Sequence, residues 1–386
     1  MRVLFLAHDD ITSGSGRSLF EMVVGLRRLY DIVPVVITKK KNALYEACLD
    51  HNIECHRLRF GMCATFSQNI WMLVLTFLAD HFNNRLSYLK IKRMLDLSSI
   101  DLIHSNSSVI SFGAFLSKRT GISHIWHIRE FGDADFHIRY SIRNMAQYIS
   151  ANASRVIVVS DAVKKHWVQK GLAEEKVTRI YDGVSDKFIP IDGMSVKEKE
   201  KLKVVFCGRI EPTKGQWLAV DAFSLLPLQI RSEICLDFYG SGSKVDVEAL
   251  QDKIVRAHLE DRVRVCGFSE SLQKVLPLYD IGLNCSKAEG YGRTTIEYMF
   301  SGLCTIVSDS GASSELIKDG QTGMLFREQT PELLSEKLVA IYTDRVLLQK
   351  IAAAGHRWAM EHISINRELI QVYEIYCQVA EIGMKV

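Results

Sequence analysis

Short apolar, β-branched runs alternate with helix-length amphipathic segments along the whole chain. In the first half RVLFLAH (2–8), VPVVIT (33–38), DLIHSN (101–106), HIWHIRE (124–130), RVIVVS (155–160) and VTRIYD (177–182) read as strands. The second half offers KVVFCGR (203–209), ICLDFYG (234–240), RVRVCG (262–267), IGLNCS (281–286), CTIVSD (304–309) and GMLF (323–326). Runs that stay apolar instead of alternating need cover on both faces, the signature of parallel sheets between helix layers. Two such series predict an α/β protein of two Rossmann-like domains, residues 1–190 and 191–386, with parallel sheets facing across a cleft. The periodicity fails near 183–202, where GVSDKFIPIDGMSVKEKEKL turns charge-rich and reads as a linker. INRELIQVYEIYCQVAEI (365–382) reads as an amphipathic helix that either closes the second domain or packs back on the first.

Composition narrows the setting. A length of 386 residues suits two ordinary domains, and 47 % hydrophobic with 24 % charged residues suits a folded protein. The nine cysteines are scattered without a CxxC, mostly in apolar runs, which fits reduced buried thiols and neither a disulfide framework nor a zinc site. Met1 leads straight into RVLFLAH, too short for a secretory signal. The longest apolar run, IWMLVLTFLA (70–79), falls well short of the roughly 20 residues that span a bilayer. A cytoplasmic protein is expected, at most touching the inner face of a membrane. Residues 1–190 hold 25 Lys and Arg against 18 Asp and Glu, a net of +7, whereas 191–386 hold 23 against 27, a net of −4. A mildly basic first half suits a membrane surface or an anionic substrate, although chance spread of solvated charges explains it equally. Nucleic acid is not an expected partner.

Ligands of parallel sheets bind at the strand carboxyl ends, so the loops after the strands are where chemistry is expected. In HDDITSGSGRSLF, Gly14, Ser15 and Gly16 precede a helix from about Ser18, where free N–H groups meet a phosphate or a sugar hydroxyl. A glycine turn needed only for geometry is the plain alternative. The dinucleotide spacing fails at Leu19, and the next strand ends in Thr38-Lys39-Lys40-Lys41 without an acid, which weighs against an NAD-dependent oxidoreductase. GRIEPTKGQ places Arg209 at a strand end and Lys214 just before a helix starting near Gly215, a ready anion site. FYGSGS repeats Gly-x-Gly at Gly240 and Gly242, and CGFSE offers Phe268 to a flat base.

EGYGRTTIE sets Glu289 in a loop and Glu297 inside a helix opening near Gly292, with the N–H groups of Gly290, Tyr291, Gly292 and Arg293 between. Helix capping accounts for the acids but not for glycines on both sides of Tyr291. The two carboxylates therefore read as binding groups, not as an acid/base couple. His127 and Glu130 lie in WHIREFG at a strand end, where a satisfied core histidine is an equal alternative. Asp133 and Asp135 form a D-x-D, a spacing that can hold a divalent metal through two carboxylate oxygens. Here it reads as a chance match, and neither a metal site nor a resident cofactor is expected.

The run EGYGRTTIEYMFSGLCTIVSDSGASSELIKDGQTGMLF (289–326) resembles the donor-site signature of glycosyltransferase family 4, retaining enzymes of the GT-B fold. The glycine loop at 14–16, WHIREF (126–131), VVSDAV (158–163), YDGV (181–184), GRIEPTKG (208–215) and FYGSGS (238–243) follow the family order over nearly the whole chain. The resemblance implies a nucleotide-sugar donor, UDP- or GDP-linked, and a metal-independent same-face transfer to a glycan or lipid-linked acceptor in surface polysaccharide synthesis. It implies that Arg209 and Lys214 hold the diphosphate, Glu297 the ribose and Glu289 the transferred sugar. Backbone at 290–293 would meet the diphosphate and sugar, and the Gly14–Gly16 loop would approach the diphosphate. His127 would sit by the reacting centre, while Phe268 and the Gly240–Gly242 loop would border the base. Tyr291 and Asp182 depart from the family's frequent phenylalanine and asparagine. The segment 66–92 joins aromatics, an apolar run and a basic end, which suits either an interfacial contact or helices packed within the first domain. A GT-B sugar-nucleotide epimerase or phosphorylase is the alternative activity. A non-catalytic partner subunit fits poorly with the intact set of acids and cations.

Overall fold

The computed structural model describes residues 1–190 and 201–383, so positions 191–200 of the expected linker lie outside the described residues. The chain forms two compact units, Met1–Gly183 with Ile365–Val386, and Val184–Ser364.

The first unit holds β1 (Arg2–Ala7), β2 (Val33–Thr38), β3 (Glu54–Arg57), β4 (Ala64–Thr65), β5 (Leu102–Ser105), β6 (Ser123–Ile128), β7 (Arg139–Tyr140), β8 (Arg155–Val158) and β9 (Val177–Arg179). Seven of them form one sheet in the order β3-β2-β1-β5-β6-β8-β9, with every neighbour parallel, and β4 and β7 pair apart from it. Val3, Leu4, Phe5 and Leu6 of β1 are all buried, as an apolar run covered on both faces must be. β3 reads ECHR and escaped the pattern search, because an edge strand with one buried side chain carries no apolar run.

The strand order reverses between β1 and β5, so the crevice of this sheet lies at their carboxyl ends. The helix after β1 spans Gly14–Tyr30 and so starts before Ser18, with Gly14, Ser15 and Gly16 as its first turn. Ser13 caps it by accepting from Gly16 N at 3.1 Å. A Cβ on Gly16 would come within 1.9 Å of the Asp10 carbonyl oxygen, so the tight entry needs glycine there. The helix Ile365–Gly383 belongs to this unit. Its Leu369, Val372, Ile375, Tyr376 and Val379 pack with Leu19, Met22, Val23 and Leu26.

The second unit holds β10 (Leu202–Cys207), β11 (Ile234–Tyr239), β12 (Val263–Gly267), β13 (Ile281–Asn284), β14 (Cys304–Ser308) and β15 (Met324–Phe326). Its parallel sheet runs β12-β11-β10-β13-β14-β15 and reverses between β10 and β13. Val204, Phe206, Leu236, Phe238, Leu283 and Ile306 fill the core with Ala219, Phe223, Leu334 and Leu338 from the flanking helices. The two ends of the unit meet: Val184 N donates to the Ile363 carbonyl at 3.3 Å and Val184 bridges Ser364. All nine cysteines are free thiols. Among the described residues no helix is long and apolar enough to cross a membrane.

Candidate active site

In the second unit the residues singled out from the sequence gather at the carboxyl ends of β10, β11, β12 and β13. Backbone bonds hold these ends in line. Gly208 N donates to the Tyr239 carbonyl, Gly240 N to that of Gly267 and Ile210 N to that of Ser241, each at 2.9 Å. Arg209, the Gly240–Gly242 loop and Phe268 therefore follow adjacent strand ends. Phe268 is 48 % exposed, with its ring available to a ligand.

Lys214 and Glu289 come from the loops after β10 and β13, the two strands that flank the reversal of the sheet. Lys214 Nζ stands 3.8 Å from Glu289 Oε2, with side chains 29 % and 15 % exposed. Asn284 Nδ2 donates to the same carboxylate oxygen at 3.4 Å. Gln216 Nε2 holds the Arg209 carbonyl at 2.7 Å, and Lys287 N donates to the Thr213 carbonyl at 3.0 Å, which ties the two loops together.

Gly292 caps the helix Arg293–Phe300, so Gly290, Tyr291 and Gly292 lie in the loop before it and Glu297 within it. The Glu297 carboxylate is buried and accepts from Arg293 Nε at 3.1 Å. Tyr298 seats this helix on the sheet: its hydroxyl accepts from Cys207 N at 2.6 Å and donates to the Leu283 carbonyl at 3.4 Å. The segment 308–312 lies inside the run 289–326 marked in the sequence, but none of its residues was singled out, and it backs the loop. Ser308 and Ser310 hydroxyls donate to the Ser286 carbonyl at 2.7 and 2.6 Å, and Ala312 N donates to that of Glu289 at 2.9 Å. Gly311 sits at φ +57° with a would-be Cβ 2.1 Å from the Glu289 carbonyl oxygen, so only glycine lets this backing turn pass so close.

The first unit builds its own polar cluster at the ends of β1, β5, β6 and β9. His127 is fully buried. Arg129 donates through one terminal nitrogen to Asp182, through Nε to Asn106 Oδ1 at 2.7 Å, and through the other terminal nitrogen to His127 Nδ1 at 3.4 Å. A guanidinium only donates, so Nδ1 accepts and the neutral ring carries its proton on Nε2. That nitrogen has no hydrogen-bond partner and lies 3.9 Å from Asp182 Oδ1. Burial, with the charge of Arg129 and then His104 adding to it, holds the ring well below the usual histidine range, so it is neutral at pH 7. Asn106 Nδ2 in turn donates to the Ser15 carbonyl at 3.2 Å, linking the cluster to the helix start at Gly14. A Cβ on Gly14 would meet nothing within 4 Å, so the helix start at Gly14 faces open space.

Other residues in these loops turn out to be scaffold. The Glu130 carboxylate accepts from the Ser107 hydroxyl at 2.6 Å and from Ser108 N at 2.7 Å, which fixes the turn after β5. The D-x-D carboxylates turn to different partners. Asp133 pairs with Lys170 and with His166, while Asp135 accepts from Phe131 N at 2.9 Å and Gly132 N at 2.7 Å. Among the described residues no group of three or more His, Cys, Asp or Glu side chains is placed to hold a metal ion.

Two family descriptions match this chain: "Glycosyltransferase Family 4" over residues 12–188 and "Glycosyl transferases group 1" over residues 191–358. An uncharacterized glycosyltransferase of Methanocaldococcus jannaschii is 22 % identical over 69 % of this chain and 70 % of its own length. The phosphatidyl-myo-inositol mannosyltransferase of Mycobacterium tuberculosis is 27 % identical over 60 % of this chain and 61 % of its own length. The Anabaena protein HepE, solved with UDP-glucose, superposes with a TM-score of 0.80 at 20 % identity, covering 98 % of this chain and 100 % of that one. With both halves matched and the two-sheet architecture shared, the chain belongs to the group 1, family 4 glycosyltransferases, GT-B enzymes that use a nucleotide-sugar donor.

Proposed function

We propose that this enzyme moves a hexose from a UDP-sugar to a glycan or lipid-linked acceptor, with retention at the anomeric carbon and without a metal ion, in surface polysaccharide assembly. The observation that carries this reading is the Lys214–Glu289 pair, set where the second sheet reverses and where such sheets hold ligands. Loss of a nucleoside diphosphate builds negative charge on its β-phosphate. Arg209, Lys214 and the N–H groups opening the helix Arg293–Phe300 answer that charge. Glu289 accepts from hydroxyls of the transferred sugar, and Glu297, oriented by Arg293, from the ribose. The backbone of Gly290, Tyr291 and Gly292 lines the diphosphate, as do the N–H groups of Gly14 and Ser15, while Gly16, its own N–H held by Ser13, shapes the turn that presents them. Gly240, Gly242 and Phe268 border the base, and His127, buried beside Arg129 and Asp182, stands behind the reacting centre.

Retention by double displacement needs a carboxylate nucleophile ~5 Å from an acid partner. Glu289 is instead engaged by Lys214 and Asn284. The reading is therefore same-face attack: the acceptor oxygen bonds to the anomeric carbon as the bond from that carbon to the β-phosphate oxygen breaks, and the leaving phosphate takes the acceptor's proton. UDP is favoured by the Anabaena structure, which holds UDP-glucose. A lipid-linked acceptor is favoured by the mycobacterial relative, whose name specifies phosphatidyl-myo-inositol.

A thermal-shift series with UDP-, GDP-, ADP- and dTDP-glucose tests the donor, since a ligand of the folded state raises the melting temperature. UDP-glucose is expected to give the largest shift, and transfer releasing UDP is expected to persist in excess EDTA. A flat series overturns the donor reading. Activity lost in EDTA and restored by Mn²⁺ overturns metal independence, and epimerised UDP-sugar without transfer supports the epimerase alternative.

A further inference from the structure

The helix Ile70–Met94 is turned inside out. Its buried side chains are Asp80, Asn84, Ser87 and, near its end, the single apolar Ile91, while Trp71, Leu75, Leu78, Phe82, Leu86 and Leu89 are exposed, Trp71 by 73 %. The inward face is locked by polar contacts. Asn84 Oδ1 accepts from Gly61 N at 2.9 Å, and its Nδ2 donates to Asp80 Oδ1 at 3.1 Å and to Ser111 Oγ at 3.0 Å. Ser111 donates to Asp80 Oδ1 at 2.6 Å, and Ser87 to the Arg59 carbonyl at 2.9 Å. Rotating the helix to hide Trp71 and Phe82 would strand all of these groups without partners, a large penalty for buried polar atoms. The apolar face is thus held outward by design of the interior, and an exposed apolar stripe of this length marks a docking surface.

The charges on the helix identify what docks. Arg85, Lys90, Lys92 and Arg93 are all exposed, and the helix's one acid, Asp80, is buried. A second copy of the chain, packed helix to helix, would bring cations to a face that offers no exposed acid to meet them. A surface both greasy and negatively charged meets both halves of the helix. The apolar first half is also too short to cross a bilayer, and no described helix qualifies as a span.

We propose that Ile70–Met94 lies in the plane of an anionic lipid surface, with Trp71, Leu75, Leu78 and Phe82 in the acyl boundary and Arg85, Lys90, Lys92 and Arg93 at the headgroup phosphates. This inference stands apart from the donor reading, since none of these residues belongs to the donor set.

The full chain is sedimented with vesicles of phosphatidylcholine alone and of phosphatidylcholine mixed with phosphatidylglycerol. Binding to the mixed vesicles is expected to be at least roughly tenfold tighter and to weaken with salt. Lys90→Glu with Lys92→Glu should weaken it by roughly fivefold per charge. Trp71→Ser with Leu78→Ser should abolish it, while the melting temperature and the UDP-glucose thermal shift stay at wild-type values because both side chains are exposed. Failure of the wild type to sediment with the mixed vesicles overturns the proposal. So does undiminished binding by the Trp71→Ser, Leu78→Ser variant. A wild-type dimer that this variant converts to monomer also overturns it, in favour of a second copy on this face.

Discussion

Lys214 and Glu289 lie far apart in the chain, and only the reversal of strand order between β10 and β13 brings them within 3.8 Å. In the proposed function each answers a different part of the donor, so truncation of either should cost catalysis and not only binding. Lys214→Ala and Glu289→Ala are each expected to lower kcat at saturating donor by at least roughly tenfold, as when one transition-state donor is lost. Near-wild-type kcat in either variant would remove the pair from the mechanism. These two residues were singled out from the sequence, as were Arg209 and Glu297, because each sits beside or shortly after a glycine that follows an apolar run. Their partners were not. Asp182 joins Arg129 and His127 across a gap that only the assembled sheet closes, and Ser308 and Ser310 carry no local mark of their support for Ser286. Gly14 and Gly16 look alike in sequence and differ in space, one facing open space and the other pressed on Asp10.

Among the elements, strands covered on both faces declared themselves by unbroken Val, Ile and Leu, and β3 with its ECHR did not. The helix Ile70–Met94 shows a second limit. Its apolar run was plain, but which face turns inward depends on Gly61 and Ser111, residues outside the helix that offer hydrogen-bond partners to Asn84 and Asp80. The usual ranking of substitutions should therefore invert along this helix. Asn84→Ala strips partners from Gly61 N, Asp80 and Ser111 and is expected to cost about 1–3 kcal/mol in urea unfolding. Leu78→Ala, at an exposed apolar position, should change stability by no more than about 0.5 kcal/mol. A Leu78→Ala cost equal to that of Asn84→Ala would mean that the apolar face is covered within the folded chain.

At the scale of the whole molecule, the chain leaves its first unit at Gly183 and re-enters it at Ile365. Leu369, Val372, Ile375, Tyr376 and Val379 supply part of the core that Leu19, Met22 and Leu26 require. A fragment of residues 1–183 is therefore expected to lack cooperative thermal unfolding by circular dichroism, whereas a fragment of residues 184–364 keeps a complete core and should melt in a single transition. Cooperative melting of 1–183 alone would show the returning helix to be an accessory. The last helix announced its amphipathic period in sequence, but its home in the fold follows from which apolar face was left uncovered.

The junctions are closed on both sides of the crossing. Gly183 N donates to Glu368 Oε2 at 2.7 Å within the first unit, and Val184 bridges Ser364 within the second. A polypeptide inserted through one doorway, with its entrance and exit side by side, can be exchanged as a cassette. Two recombination points, at 183/184 and 364/365, would carry Arg209, Lys214, Glu289 and Glu297 together and leave every strand pairing of both sheets intact. In the proposed function a chimera made at those two points is therefore expected to take its donor preference largely from the inserted unit, while the Gly14–Gly16 turn and His127 stay with the half that remains.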